Sequence, residues 1–442
     1  MNAPLINPIV EIDSLDHEGH GVARVNGKVV FVDGALTGER AEISVFRKHP
    51  KYDSANAVAI LRPSAQRAIP RCPHFDRCGG CSLQHLEPSA QVAVKQRVLE
   101  ENLARIGKVS PESLLPALHG PYWGYRYRAR LSVRKVLKKG GVLVGFHEKR
   151  SSFIADMHSC EVLHPAAASL IQPLRAFINQ FSNSDRIPQI EIAVGEHVTV
   201  LVFRLMEPWN TQDETLVRDF VDQHDRIQIW IQPKGPDSAY AFYPTDAPAL
   251  DYSLPEFGLV MPFRPTEFTQ VNMAMNRALV SRTVRLLEPR PGERIADFFC
   301  GLGNFTLPLA RSGASVVGFE GSKGLVERAR QNAAVNDLPN VEFRVDDLFQ
   351  MSPEKFALLG HFDKLLIDPP RDGAMALVKS LPEHDGPRRI VYVSCNPATL
   401  ARDAELLCYV KGYRLVSAGV ANMFPHTAHV ESIAVFLSLI HI

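Results

Sequence analysis

The chain has 442 residues, of which 45% are apolar and 22% charged, with a formal net charge of +1. That is the make-up of a globular protein large enough for two or three domains whose cores form without disulfides. The opening MNAPLINPIVEID lacks the basic segment and apolar core of a signal peptide, and no apolar run is long enough to span a bilayer. A cytoplasmic, reducing location is expected, where the seven cysteines serve as metal ligands, nucleophiles or core residues.

Residues 9–61 read as short strands separated by turns. Asn26-Gly27 between 21–25 and 28–32 is a strong hairpin signal, because a type I′ turn needs positive φ at both central positions. Further strands are expected at 40–46 and 55–61, giving a five-stranded, OB-like β-barrel. Next, Cys72, Cys78 and Cys81 fall within ten residues, with Gly79 and Gly80 letting the loop wrap tightly. A fourth thiol, Cys160 in DMHSCEVLH, is the expected closing ligand, with Cys300 and Cys408 as the other candidates. Four thiolates suit zinc or an iron–sulfur cluster, and ligand softness does not separate the two.

Residues 84–106 carry the apolar stripe of a helix in Val92, Val98, Leu99, Leu103 and Ile106. Strand-like segments then dominate to about residue 260, at 129–136, 141–146, 190–194, 198–204 and 226–232. Two basic runs stand out. One holds Arg47, Lys48, Lys51, Arg62 and Arg67; the other holds Arg126, Arg128, Arg130, Arg134, Lys135, Lys138 and Lys139 interleaved with Tyr125 and Tyr127. Basic groups alternating with aromatics suit phosphate contact and base stacking, so RNA or DNA is the expected partner.

From about residue 289 strands alternate with helices, the pattern of a parallel sheet. Strands are expected at 294–299, 315–320, 341–345, 364–368, 389–394, 413–421 and 432–438. The last two have no helix-length connection and should pair antiparallel, which resembles the seven-stranded, Rossmann-like sheet of class I S-adenosylmethionine-dependent methyltransferases. The glycines of DFFCGLGNFT after the first strand let backbone approach a ligand, and Glu320 ends the second strand where Rossmann-type sites hold ribose hydroxyls. Asp346-Asp347 is equally readable as an adenine contact or an acidic loop. The fourth strand ends in Asp368-Pro369-Pro370, a rigid bend that holds Asp368 in the crevice.

The fifth strand, RIVYVSCNP, delivers Cys395 to its tip, where Pro397 stops ladder pairing. A lone cysteine is more often a small core hydrophobe, but the loop, Glu320 and Asp368 reverse that reading. His426 and His429 in PHTAHVE lack the H-E-x-x-H pattern of a metal site. A thiolate and a carboxylate beside a methyl donor suit one reaction: Cys395 adds to uracil C6, C5 takes the methyl group, and Glu431 removes the C5 proton.

Across the whole chain these motifs resemble the RNA (uracil-5-)-methyltransferases. The resemblance implies a TRAM domain for the barrel and Cys72, Cys78, Cys81 and Cys160 as ligands of a 4Fe-4S cluster. It implies Gln270 of FTQVN, Phe299, Asn304, Glu320, Asp347 and Asp368 at the S-adenosylmethionine site, Cys395 as nucleophile and Glu431 as base. Several family members carry Asn where Asp347 stands. Barrel and cysteine set together favour the branch that modifies 23S ribosomal RNA, free or in a partly assembled large subunit. The expected organisation is a TRAM-like barrel over 1–65, a central mixed α/β iron–sulfur domain over 66–260 and a methyltransferase domain over 261–442, in a monomer. Competing readings are the same chemistry on the T-loop uridine of transfer RNA, a non-catalytic RNA-binding assembly factor, and an electron-transfer protein.

Overall fold

A computed structural model of the chain describes residues 7–440. Asn26 and Gly27 adopt φ values of 50° and 82°, and the hairpin they close pairs Gly21–Val25 with Lys28–Asp33. The N-terminal sheet holds six strands rather than five, in the order Ile9–Glu11, Arg40–Lys48, Tyr52–Arg62, Lys28–Asp33, Gly21–Val25, Ser14–Leu15. The two edge strands are three and two residues long, too short to show an alternating pattern in sequence. Bulges between Arg40–Lys48 and Tyr52–Arg62 bend the sheet around Val30, Val32, Ala41, Ile43 and Ala55, all buried.

The central sheet also has six strands, running Tyr240–Tyr243, Ile227–Gln232, Thr199–Arg204, Gln189–Val194, Arg128–Val136, Gly141–Gly145. All five strands expected for this region are present. The single parallel pair, Thr199–Arg204 with Ile227–Gln232, is bridged by the helix Thr211–Asp222, as a parallel crossover requires.

The third sheet comprises β1 (Arg294–Phe298), β2 (Ser315–Glu320), β3 (Val341–Val345), β4 (Lys364–Ile367), β5 (Arg389–Ser394), β6 (Tyr413–Ala421) and β7 (Glu431–Ser438), ordered β3-β2-β1-β4-β5-β7-β6. β1 to β5 are mutually parallel. β7 lies antiparallel between β5 and β6, because the loop after β6 is too short for a crossover. The chain reverses direction of travel at β1/β4, so the ends of these strands form the ligand crevice.

Four helices matter for the site: α1 (Pro88–Arg105), α2 (Met273–Leu287), α3 (Lys323–Val335) and α4 (Pro397–Tyr409). Side chains of Asn272, Ser322 and Asn396 accept backbone N–H groups at the starts of α2, α3 and α4. α1 packs against α4 and the edge of the third sheet: Leu99 and Leu103, with Val109 beyond the helix, share a buried cluster with Leu400, Ala401 and Ala404 of α4 and with Leu415 and Ala418 of β6. Gly107 permits the approach, since a Cβ there would meet the Ala401 carbonyl oxygen at 2.5 Å. Ser113–Leu114 adds an eighth strand beside β6. No described helix is long and apolar enough to cross a membrane.

Candidate active site

The β5–β7 register brings two of the expected site residues together. Ser394 lies opposite Ser432, so Cys395, one residue past β5, and Glu431, the first residue of β7, follow that pair at the same sheet end. The turn after β5 is tied down on both sides. The Asn396 backbone N–H donates to Ser394 Oγ at 3.1 Å, and its side-chain Nδ2 donates to the Arg371 carbonyl at 3.0 Å. That second bond fastens the SCNP turn to the DPPRDG turn carrying Asp368 and Arg371. Pro397, at the first position of α4, has no N–H to leave unpaired.

Burial pushes the Cys395 thiol up to about 11; Glu431 and Asp368 reinforce the shift and Arg371 opposes it. Glu431 is buried, and burial with the nearby Asp368 carboxyl holds its pKa well above the ordinary carboxylate range. Burial alone raises Asp368 to about 7. Burial therefore holds the Cys395 thiol in its protonated form at neutral pH.

A second set of residues surrounds the β1–β2 loops. Phe299 has φ 68°, Gly301 55° and Gly303 94°. The N–H groups of Phe299 and Cys300 both donate to the Phe319 carbonyl, at 2.9 and 3.0 Å. Glu320 accepts from Gly301 N at 3.2 Å and Ser322 N at 2.9 Å, holding its carboxylate rigid at the carboxyl end of β2. Asn304 Oδ1 accepts from Tyr252 Oη at 2.8 Å and Asn276 Nδ2 at 2.9 Å. The exposed Asp347 accepts from Phe349 N at 3.1 Å, and the Phe349 ring lies 5.7 Å from that of Phe299. Gln270 is partly exposed, two residues before the Asn272 cap of α2. Asp297, fully buried and bonded to Thr306 Oγ1 at 2.6 Å, is pushed by burial to about 8.

Cys72, Cys78, Cys81 and Cys160 line one cavity of about 110 Å³, with Phe146 and Met157. Cys300 instead sits in the loop after β1 and Cys408 in α4. Burial raises all four thiols, Cys81 to about 11 and Cys160 to about 12. Thiolates could collect there only around a cation. Among the described residues no three of these sulfurs lie within 4.8 Å of one another. Four thiols around one cavity suit zinc or an iron–sulfur cluster.

Cys395 opens onto a cleft of about 900 Å³ whose walls come from the N-terminal domain (Asp16, His17), the cysteine loop (Gly80, Ser82), α1 (Arg97) and the segment around His429. Parts of the basic runs do other work. Arg67 pairs with the buried Glu39 at 2.6 Å. Arg128 donates to the Glu267 and Pro265 carbonyls beneath the catalytic sheet. Tyr125 is buried and donates to the Pro425 carbonyl at 2.9 Å. Arg134, Lys135 and Lys138 remain exposed.

Sequence reasoning missed Gln91 and Lys95, which touch the segment leading to Glu431. The signal was available, since 91, 95, 99 and 103 form one stripe along α1 at i, i+4 spacing, and two polar residues stand in that buried stripe.

A family model described as tRNA (Uracil-5-)-methyltransferase matches residues 258–439, and the TRAM domain model matches 9–58. The chain is 75% identical to a protein of Thiobacillus denitrificans named 23S rRNA (uracil(1939)-C(5))-methyltransferase RlmD, covering 98% of this chain and 100% of that one. A protein of the same name from Dechloromonas aromatica is 57% identical, covering 97% and 99%. Among solved structures, the Pyrococcus abyssi tRNA (uracil-54, C5)-methyltransferase in complex with S-adenosyl-L-homocysteine aligns with a TM-score of 0.75 at 25% identity, over 98% of this chain and 100% of that one.

Proposed function

This chain belongs to the RlmD family of 23S ribosomal RNA (uracil-C5)-methyltransferases, and on that premise we propose how its residues share the reaction. It is an S-adenosylmethionine-dependent RNA methyltransferase; the division of labour follows from Cys395 and Glu431 standing next to the last β5–β7 pair, close enough for the Glu431 carboxyl to act on the Cys395 thiol, with Cys395 open to the cleft. A target uridine must leave its stack to reach Cys395. Uracil C5 is a weak nucleophile. The Cys395 sulfur adds to C6, electrons move toward O4, and C5 becomes enolate-like. S-adenosylmethionine supplies the methyl group that C5 takes. Glu431 removes the C5 proton, and the electrons released re-form the C5–C6 double bond as the sulfur leaves. Gln270, Phe299, Asn304, Glu320, Asp347 and Asp368 hold the donor, with Glu320 placed for ribose hydroxyls by the two backbone N–H groups that fix it.

Cys72, Cys78, Cys81 and Cys160 hold a 4Fe-4S cluster in this reading, which rests on the family resemblance and on the cavity the four thiols share. Held there, the cluster supplies cross-linking of the loop rather than redox chemistry. The substrate is 23S ribosomal RNA, free or partly assembled, and the enzyme acts in the cytoplasm as a monomer. The division into 1–65, 66–260 and 261–442 is kept as a functional one, although α1 packs against α4 and the edge of the third sheet.

Covalent trapping tests the reading. RNA carrying 5-fluorouridine offers no C5 proton, so a denaturant-stable protein–RNA band is expected with 23S fragments and S-adenosylmethionine. Activity and adduct confined to transfer RNA would sink the substrate assignment. Glu431→Gln is expected to slow turnover by about 10²–10⁴-fold and to accumulate the same adduct on ordinary uridine.

The pH profile follows from the shifted groups. Asp368 loses its proton only as pH rises through about 7, Glu431 is raised as well, and the thiolate fraction of Cys395 grows until about 11. The value of kcat/KM should therefore climb from pH 6 to pH 9 with no descending limb. A maximum below pH 7 would contradict the assignments.

A further inference from the structure

The segment joining β6 to β7 carries four successive carbonyls that accept from residues outside it, Phe424 O also accepting from Thr427. Asn272 Nδ2 donates to Met423 O at 3.1 Å. Lys95 Nζ donates to Phe424 O at 2.8 Å, and Tyr125 Oη to Pro425 O at 2.9 Å. The backbone N–H groups of Ser82 and Leu83, directly after Cys81, both donate to His426 O at 2.9 Å. Three of these four attachments come from residues 82–125, outside the catalytic sheet. From α1, Gln91 Oε1 also accepts the His426 N–H at 2.8 Å, while Lys95 Nζ reaches Asn422 Oδ1 at 2.7 Å.

Lys95 is 1% exposed. Its pKa is lowered to about 7 by burial alone, with no carboxylate contributing. A lysine buried without a counter-ion spends its donors on whatever it touches, and here it touches only the segment that delivers Glu431 five residues beyond His426. Cys395, one residue past β5, is held by the Asn396 and Arg371 contacts. The two sides meet where Arg371 lies 3.0 Å from His429 Nδ1 and Ser432 Oγ donates to Ser394 O, but the bonds from Lys95 and Gln91 reach only residues 422–426 on the Glu431 side.

We propose that Lys95 and Gln91 are positioning residues for C5 proton removal: they hold the 422–426 segment so that Glu431 stands over the substrate, and neither bonds to the Asn396 and Arg371 groups that hold Cys395. This rests on Glu431 being the base. Loss of either support should slow elimination more than addition, because it displaces one group and leaves the other in place. A displacement of about 1 Å is worth up to ~100-fold in rate.

The test compares Lys95→Met, Gln91→Met and Glu431→Gln in the full-length holoenzyme with 23S RNA fragments. Two rates are read, turnover on uridine and covalent adduct formation on 5-fluorouridine RNA. For Lys95→Met and Gln91→Met, turnover should fall on the order of 10-fold to 100-fold, adduct formation should stay within threefold or so of the parent, and adduct should accumulate on ordinary uridine. Unchanged turnover, or both rates falling together, overturns the proposal. Should Lys95→Met fail to fold, Gln91→Met carries the same test through a different contact. Glu431→Gln separates the two levels: if it accumulates no adduct, the base assignment fails; if it does and the α1 variants do not, only the positioning role fails.

Discussion

Cys395→Ala is expected to reduce methylation of 23S ribosomal RNA by more than about 10⁴-fold while leaving S-adenosylmethionine binding intact. The size follows from the chemistry: without addition at C6, C5 has no activated form, and nothing else in the crevice can supply one. Asp368 and Glu431 are carboxyls held toward their protonated forms, which makes them poor substitutes for a thiolate. Cys395 is only half-buried, so the substitution should change stability by less than about 1 kcal/mol. Methyl incorporation, donor binding and the 5-fluorouridine adduct are measured on the same preparation. Loss of adduct and turnover with donor binding preserved supports the nucleophile; turnover within tenfold of the parent would remove the mechanism.

The next largest effect is expected at the cysteine cavity. Cys78→Ser should release bound iron and lower the melting temperature by on the order of 10 °C, since metal-binding energy of this kind is folding energy. An empty cavity of about 110 Å³ by itself costs about 2–3 kcal/mol at ~24 cal/mol per Å³. The burial-raised thiols, with Cys160 near 12, would then sit protonated around a void. Because Ser82 and Leu83 follow Cys81 and bond to His426 O, loosening the loop should also depress turnover. Iron content, melting temperature and rate are read together. An unchanged melting temperature with altered redox behaviour alone would instead favour an electron-transfer role.

Much of the catalytic part was legible because it is local. The β-branched run 390–393 ending in Ser-Cys-Asn-Pro could only be a buried strand with a cysteine at its tip, and Asn26-Gly27 could only be a tight hairpin. The strand-and-helix alternation after residue 289 implied the parallel sheet, and the missing crossover implied the antiparallel last pair, as found. The basic runs were harder. Charge composition does not say which arginines are drawn inward, and Arg67 and Arg128 are held by a buried carboxylate and by carbonyls. Tyr125 likewise reads as a stacking aromatic until Pro425 O is seen to need its hydroxyl.

By itself the sequence determined the strands and helices of the third sheet, the glycine loop after β1, a cysteine at the end of β5 and the close trio Cys72, Cys78 and Cys81, since each depends on residues close together in the chain and on backbone rules acting over a few positions. Only the tertiary structure decided that Cys395 and Glu431 lie beside each other at one sheet end, that Cys160 joins three thiols some eighty residues earlier, and that Lys95 bonds to a segment more than three hundred residues away. Those facts depend on strand register and on where buried donors find acceptors. Both are settled by packing between elements, which no local pattern encodes.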